Sequence, residues 1–336
     1  MSTRVIVVGD GGWGLVVAKL LAKAGHDTRV WGHDPEYVRR VASLRQSPRY
    51  LSGVELPAAI RIEPDFAVAA ADAEIALSVV PTQFLRATWI PHATELAAGV
   101  PVLSLTKGIE NRTLQRPTEV LAEVLGPDRD YGVLSGPSHA EEVARGLPTT
   151  VVAASPDERL ARRAQDLFST ERFRVYTTDD VLGVELGGAL KNVIALAAGM
   201  AHGLGFGDNS GAALITRGMV EIRRLGVALG ARPETFSGLS GIGDLITTCI
   251  SPYGRNRSVG ERIGKGETLT QILASMEQVA EGVRTTESAI DLAERLGVEL
   301  PITQQVGEVL FREKPPMQAV VDLMMRDRKS EREELE

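Results

Sequence analysis

The sequence predicts an α/β N-terminal domain built on a doubly wound parallel sheet, followed by an all-α C-terminal domain. Three observations carry this. The first half alternates short apolar runs with helical patterns, the mark of strands covered by helices on both faces. A glycine-rich hexapeptide, Gly9-Asp10-Gly11-Gly12-Trp13-Gly14, sits between a strand-like run and a helix-like one. Near Asp179–Val184 the alternation stops and long helical segments take over.

The elements follow in order. Arg4–Val8 reads as a buried strand and Leu15–Ala24 as a helix with apolar residues at helical spacing, with a second strand at Thr28–Trp31. Glu74–Val80 runs into Pro81 and Val100–Leu105 into Thr106-Lys107-Gly108, as central parallel strands feeding loops would. Tyr131–Leu134 and Thr149–Ala153 are two further short β-rich runs. In such sheets ligands lie beyond the carboxyl ends of the strands, which gathers Gly9–Gly14, Pro81 and Lys107 at one edge. Beyond the change of pattern, Val184–Ala201, Ala212–Leu229, Thr268–Ala280 and Thr285–Leu296 read as helices, with Gly203–Gly211 and Gly238–Gly243 as tight turns. The expected division is a dinucleotide-binding domain over 1–180 and a helical substrate domain over 181–336. The charged tail Arg326–Glu336 reads as a frayed, solvated end.

Composition narrows the function classes. With 43% hydrophobic and 24% charged residues the chain reads as a folded soluble protein. No apolar run approaches the roughly 18 residues of a bilayer span, and no leader-like basic and apolar segment opens the chain, so no membrane insertion is expected. A net charge of -7 argues against nucleic acid as a partner, while leaving room for a small anionic substrate. One cysteine, Cys249, fits a reducing, cytoplasmic setting and reads as buried packing rather than a nucleophile. The histidines and the cysteine show no metal-ligand spacing, so no metal is expected.

Gly9, Gly11, Gly12, Trp13 and Gly14 stand where the dinucleotide fingerprint requires them: glycines let the backbone approach a pyrophosphate seated on a helix N-terminus. The N-terminal domain is therefore read as Rossmann-type. The tip of the second strand is Gly32-His33, with Asp34 beyond it and Arg39-Arg40 nearby, which admits the 2′-phosphate of NADP as well as NAD. His33 reads equally as a surface histidine.

Lysines are few (Lys19, Lys23, Lys107, Lys191, Lys265, Lys314, Lys329), and two of them, Lys107 and Lys191, lie among glycines and apolar residues. The neighbours of Lys191 at helical spacing include Gly187, Gly188, Ile194 and Ala195. Such an ammonium either snorkels outward or sits partly desolvated, where a lysine becomes a general acid or base. Asp244, in Ser240-Gly-Ile-Gly-Asp-Leu-Ile-Thr-Thr248, reads as a helix cap or as the partner of a lysine. Tyr253-Gly254-Arg255-Asn256-Arg257 is a basic turn suited to a phosphate or to plain solvation. Ser135-Gly136-Pro137-Ser138 offers a second open backbone turn.

Taken together these segments resemble the NAD(P)-dependent glycerol-3-phosphate dehydrogenases. The match runs in order through Gly9–Gly14, Trp31-Gly-His-Asp34, Ser104-Leu-Thr-Lys-Gly-Ile-Glu110, Leu134-Ser-Gly-Pro-Ser138, Glu185–Met200, Gly205-Phe-Gly-Asp-Asn209, Gly243-Asp-Leu-Ile-Thr-Thr-Cys249 and Gly254-Arg-Asn-Arg257. The resemblance implies that Lys191 is the general acid, held by Asp244, with Lys107 near the substrate carbonyl. It implies that Arg255 and Asn256 bind phosphate, with Asn192, Gly136, Ser138 and Gly254 lining the substrate site. Gly12, Trp13, His33, Tyr50, Lys107, Ala140, Arg255, Val279 and Glu281 would contact the cofactor, NADP or NAD. The substrate implied is small and phosphorylated, and the assembly a homodimer. Gly12 and Gly254 stand where serine is common in the family, and His139 where phenylalanine is. A dehydrogenase of a β-hydroxy or sugar acid, or a dinucleotide sensor without turnover, would share the fold. The sensor gives no reason to keep Lys191 with Asp244, and the acid dehydrogenase none for the Gly-Asp-Leu-Ile-Thr-Thr segment.

Overall fold

The computed structural model describes residues 2–276 and 279–331. The chain forms two compact units: Met1–Lys107 with Arg116–Val181, and Gly108–Gln115 with Leu182–Glu336. A single division at residue 180 would have left 108–115 with the first unit. Instead Ser288 donates to the Ile109 carbonyl (3.3 Å) and lies 3.1 Å from Asn111 Oδ1, tying that segment into the second.

The first unit is one eight-stranded sheet. Its strands are β1 (Arg4–Val8), β2 (Asp27–Trp31), β3 (Arg61–Glu63), β4 (Ile75–Ser78), β5 (Val102–Ser104), β6 (Tyr131–Ser135), β7 (Thr149–Ala154) and β8 (Phe173–Thr178). They lie in the order β3-β2-β1-β4-β5-β6-β7-β8. Its helices are α1 (Gly12–Lys23), α2 (Pro35–Leu44), α3 (Phe66–Ala70), α4 (Thr82–Trp89), α5 (Pro117–Leu125), α6 (Ala140–Ala144) and α7 (Glu158–Phe168). Val5 and Val7 of β1 join one core with Leu15, Val38 and Phe168, while Ile6 and Val8 join the other with Phe66, Trp89 and Leu121. Burial on both faces explains why β1 reads as an unbroken apolar run. The chain leaves β1 toward β2 on one side and meets β4 on the other, so the carboxyl end of β1 is the topological switch point where ligands bind.

The sheet is not wholly parallel, as the sequence had suggested. β6 and β7 are antiparallel, with Val133 opposite Ala154. A parallel return usually carries its crossover on a full helix, and α6, the helix between β6 and β7, has 5 residues. Two strands escaped the sequence reading. β3 has 3 residues, and β8 buries only Phe173 and Val175 between exposed Arg174 and Tyr176, so neither shows a long apolar run.

The second unit is helical: α8 (Val181–Gly203), α9 (Asp208–Ala228), α10 (Asp244–Ile250), α11 (Arg255–Gly264), α12 (Leu269–Ala274), α13 (Glu281–Leu296), α14 (Pro301–Arg312) and α15 (Pro316–Met324). The helix expected over Thr268–Ala280 is shorter. Thr268 and Gln271 form a capping box at its start, and after Ala274 the Ser275 hydroxyl donates back to the Ile272 carbonyl at 2.8 Å. Residues 277 and 278 of that expected helix lie outside the described residues, as do 332–336 of the charged tail.

One helix exceeds the sequence expectation about membranes. α8 has 23 residues, a mean hydropathy of 1.5 in its most apolar window, and the length to cross a bilayer, yet 83% of that window is buried inside the protein. It is the central helix of the second core, where Leu186, Leu190, Val193 and Ile194 pack with Ile222, Leu245 and Val283. Against α11 it packs backbone to backbone. A Cβ on Gly199 or Gly203 would overlap the Arg257 or Glu261 carbonyl, and one on Gly260 or Gly264 would overlap that of Leu196 or Met200. Only glycines at this spacing on both helices allow so close a crossing.

Candidate active site

In the first unit, the loop between β1 and α1 is shaped for an anion. Gly9 adopts φ +123°, a conformation open chiefly to glycine, and a Cβ on Gly14 would overlap the Gly9 carbonyl. A side chain on Gly11 would meet nothing within 4 Å, so the backbone there is open to approach. Gly11 is the N-cap of α1 and supplies no side-chain acceptor. The first-turn N–H groups, including those of Gly12, Trp13 and Gly14, are thus available to a phosphate. Behind the loop, the Tyr50 carbonyl lies 2.6 Å from where a Cβ on Gly12 would stand. The Tyr37 and Tyr50 rings meet edge to face at 5.4 Å, and the Arg49 guanidinium lies 5.0 Å from the Tyr37 centroid and 5.7 Å from that of Tyr50. His33 is exposed. Asp10, 6% exposed, has a buried carboxylate oxygen without a hydrogen-bond partner. A cradle of open N–H groups with an unsatisfied acceptor beside it fits a dinucleotide.

Asp34, beyond the tip of β2, is taken up locally: its carboxylate accepts from the Glu36 and Tyr37 N–H groups, both at 3.1 Å, and caps α2. Arg39 and Arg40 lie exposed on α2, and the cationic groups that act on Asp10 are His33 and Arg49.

The same unit brings Lys107 from one segment onto Gly136 and Ser138 of another. Lys107 donates to the Gly136 carbonyl at 3.0 Å, and Ser138 donates to that oxygen at 2.9 Å. Gly136 has φ +136°, and a Cβ there would stand 3.0 Å from the Val151 Cα of β7, so the turn after β6 is fixed where a lysine from the β5 loop can reach it. Ala140 opens α6 next in the chain.

In the second unit, Lys191 is buried in α8, with 8% of its side chain exposed. Its ammonium donates to Asp244 Oδ1 at 2.8 Å and to the Thr248 hydroxyl at 2.5 Å. Thr248 in turn donates to the Asp244 carbonyl at 2.6 Å, one turn back along α10. Asp244 is the first residue of α10 rather than its cap, which is Gly243. The two helices come this close because Gly187 of α8 lies against the Ser240 carbonyl, 2.5 Å from where its Cβ would be. The ammonium does not snorkel: it is held inside, against a carboxylate and a hydroxyl. Neighbouring Cys249 is buried, and burial pushes its thiol up to about 12, so it stays protonated and inert.

From this pair a continuous set of contacts leads to the basic turn. Gly254, the N-cap of α11, packs on the Thr248 carbonyl, 3.0 Å from where its Cβ would stand. Arg255 and Asn256 open α11, and Gly254 gives it no side-chain cap. Asn256 accepts from the Gly282 N–H at 2.9 Å, and Gly282 also packs on the Asn192 carbonyl. Arg255 is exposed and donates to the Val279 carbonyl at 3.1 Å, two residues before Glu281 opens α13. A helix start and a guanidinium together suit a phosphate group. Thr248, Gly282 and Asp10 were not singled out in sequence. Thr248 had a readable signal, since it stands four residues after Asp244 on a helix and shares its face. Among the described residues no cluster of three His, Cys, Asp or Glu groups could hold a metal.

A glycine-lined helix start suits a pyrophosphate and a buried, ion-paired lysine suits proton transfer, the two parts that a nicotinamide-dependent dehydrogenase needs. The description NAD-dependent glycerol-3-phosphate dehydrogenase N-terminus matches residues 4–161, and the corresponding C-terminus residues 180–321. The chain belongs to the NAD-dependent glycerol-3-phosphate dehydrogenase family. It is 50% identical to glycerol-3-phosphate dehydrogenase [NAD(P)+] 2 of Salinibacter ruber over 98% of this chain and 97% of that one. It is 48% identical to the glycerol-3-phosphate dehydrogenase [NAD(P)+] of Geobacter sp. over 98% and 99% of the two chains. The crystal structure of glycerol-3-phosphate dehydrogenase from Coxiella burnetii superposes with a TM-score of 0.93 at 34% identity, covering 97% of this chain and 99% of that one.

Proposed function

We propose that this chain reduces dihydroxyacetone phosphate to sn-glycerol 3-phosphate, reversibly, with NADH or NADPH. The observation that carries the reading is the buried Lys191–Asp244 pair with Thr248, a charged lysine kept in the interior at a cost that a structural role does not require. When bound, the reduced dinucleotide supplies the hydride to the carbonyl carbon. Lys191 gives its proton to the carbonyl oxygen as the C–H bond forms, leaving a neutral amine that regains a proton from solvent. Asp244 and Thr248 orient the ammonium. Lys107 adds positive charge for the developing alkoxide, where fixed charge is worth most. Arg255, Asn256 and the start of α11 take the phosphate, and Asn192, Gly136, Ser138 and Gly254 line the substrate site. Gly9, Gly11, Gly12, Trp13, Gly14, His33, Tyr50 and Ala140 hold the dinucleotide, with Val279, Glu281, Lys107 and Arg255 as further contacts. In the cell we place the enzyme in the cytoplasm, as a homodimer, supplying glycerol 3-phosphate to glycerophospholipid synthesis.

The test follows absorbance at 340 nm with dihydroxyacetone phosphate and each reduced dinucleotide. Consumption supports the proposal. Tight cofactor binding without consumption, or consumption only with a β-hydroxy or sugar acid's ketone, would replace it with one of the rival readings.

A further inference from the structure

Dinucleotide folds usually carry an acid at the tip of the second strand, where it accepts from the ribose hydroxyls next to the adenine. Here that tip is Gly32, directly after β2, and Asp34 is committed to capping α2. A carboxylate stands at the tip nonetheless, delivered from another element. Asp10, from the loop between β1 and α1, lies so close to Gly32 that any Cβ there would overlap its carboxyl carbon and Oδ2, with Oδ1 2.7 Å away. The missing side chain on Gly32 is what makes room for the carboxylate of Asp10.

We propose that Asp10 sets the choice between the two nicotinamide dinucleotides, its carboxylate accepting from the 2′-hydroxyl of NADH and opposing the 2′-phosphate of NADPH. The inference rests on the first unit holding the dinucleotide. The second oxygen of Asp10, Oδ2, is buried without a hydrogen-bond partner. A buried acceptor left unsatisfied is costly, and an arriving hydroxyl removes that cost. A phosphate at the same place brings two like charges against a carboxylate. Burial raises the carboxyl above its usual range, and the nearby charged groups divide: His33 and Arg49 favour the ionised form, and Asp34 opposes it. Pure packing is the competing account, since the carboxylate fills the space over Gly32. It predicts no discrimination between the dinucleotides.

The test is calorimetric binding of NADH and NADPH to the full chain, as wild type, Asp10→Asn and Asp10→Ala. It is repeated with ADP-ribose and its 2′-phosphate, so that the readout is confined to the adenosine end and needs no ketone. The wild type should bind NADH at least about tenfold more tightly than NADPH, as expected for a hydrogen bond to a charged acceptor. In both variants the ratio should move toward NADPH by about tenfold or more, mostly through tighter NADPH binding. Asp10→Asn is isosteric and preserves the packing, so it reports even where Asp10→Ala loosens the loop. A wild type that favours NADPH, or a ratio that stays within about twofold across folded variants, overturns the proposal. A wild type that binds neither dinucleotide overturns it together with the cofactor reading beneath it.

Discussion

The Lys191–Asp244 pair allows stability and chemistry to be separated by one thermodynamic cycle. The two side chains are 8% and 3% exposed and 2.8 Å apart. At an effective dielectric near 20, charges at that distance attract by about 6 kcal/mol, which the desolvation of two ions largely offsets. Replacing one partner removes the attraction and leaves the other charge buried, at a cost of about 3–5 kcal/mol. Lys191→Met should therefore lower the unfolding free energy by that amount, and Asp244→Asn by a comparable one. The double variant buries no charge there and should recover most of the loss. A coupling of at least about 2 kcal/mol between the sites is the expectation for neighbours in one network. Urea unfolding reads the stability, and oxidation of NADH or NADPH with dihydroxyacetone phosphate reads the turnover. Lys191→Met and the double variant should both fall at least about 10²-fold in turnover while binding dinucleotide nearly normally. Strictly additive stabilities would refute the burial argument. Near-normal turnover in Lys191→Met would refute the proton-donor role, and full activity in the stable double variant would refute both.

Arg255→Ala should mainly raise KM for dihydroxyacetone phosphate, by about 10–10²-fold for a lost charged hydrogen bond, and leave unphosphorylated dihydroxyacetone little changed. Equal damage to both ketones would remove the phosphate role. Glu221 on α9 is buried and accepts from the Ile302 N–H (2.5 Å), the Thr303 N–H (3.0 Å) and the Thr303 hydroxyl (2.9 Å) at the start of α14. Burial outweighs those bonds and pushes its carboxyl up from 4.5 to about 7. A folded pKa above the unfolded one means that this contribution to stability is present below pH 4.5 and is lost as pH rises through 7. Over that interval the loss is about 3 kcal/mol, and Glu221→Gln should flatten it in urea unfolding at several pH values; an unchanged slope would assign it elsewhere. Gly260→Val should cost about 1–3 kcal/mol or more by forcing α8 and α11 apart, seen as a lower urea midpoint, and a wild-type midpoint would contradict the backbone contact.

The sequence was most informative where one segment carries its own signal. β1 has an apolar run because both its faces are buried, and the glycines of the following loop have spacing that no side chain obscures. Lys191 stood out because it is one of few lysines and lies among glycines and apolar residues. The β6–β7 reversal was not legible, since strand direction depends on what the connection packs against rather than on the strand's residues. Asp10 was hidden for a similar reason: in sequence it is the variable position of a glycine motif, and only folding sets it against Gly32. Thr248 acquires its partner only when α10 meets α8 across Gly187. The contacts between α8 and α11 are invisible as well, because glycines at such spacing read as weak helix rather than as a crossing.

The crossing of α8 and α11 also works as a gauge. Lys191 sits on the first of these helices and Arg255-Asn256 open the second, and main-chain contacts at Gly199, Gly203, Gly260 and Gly264 lock the two together. Side chains can repack by tenths of an ångström at little cost, whereas abutting backbones cannot. With the roles proposed above, the span from proton donor to phosphate grip is fixed in main chain. On those proposed roles, a ketone phosphate has to match that span. A homologue one carbon longer is then expected to be the poorer substrate, and substitutions elsewhere in the helical core should leave that difference in place.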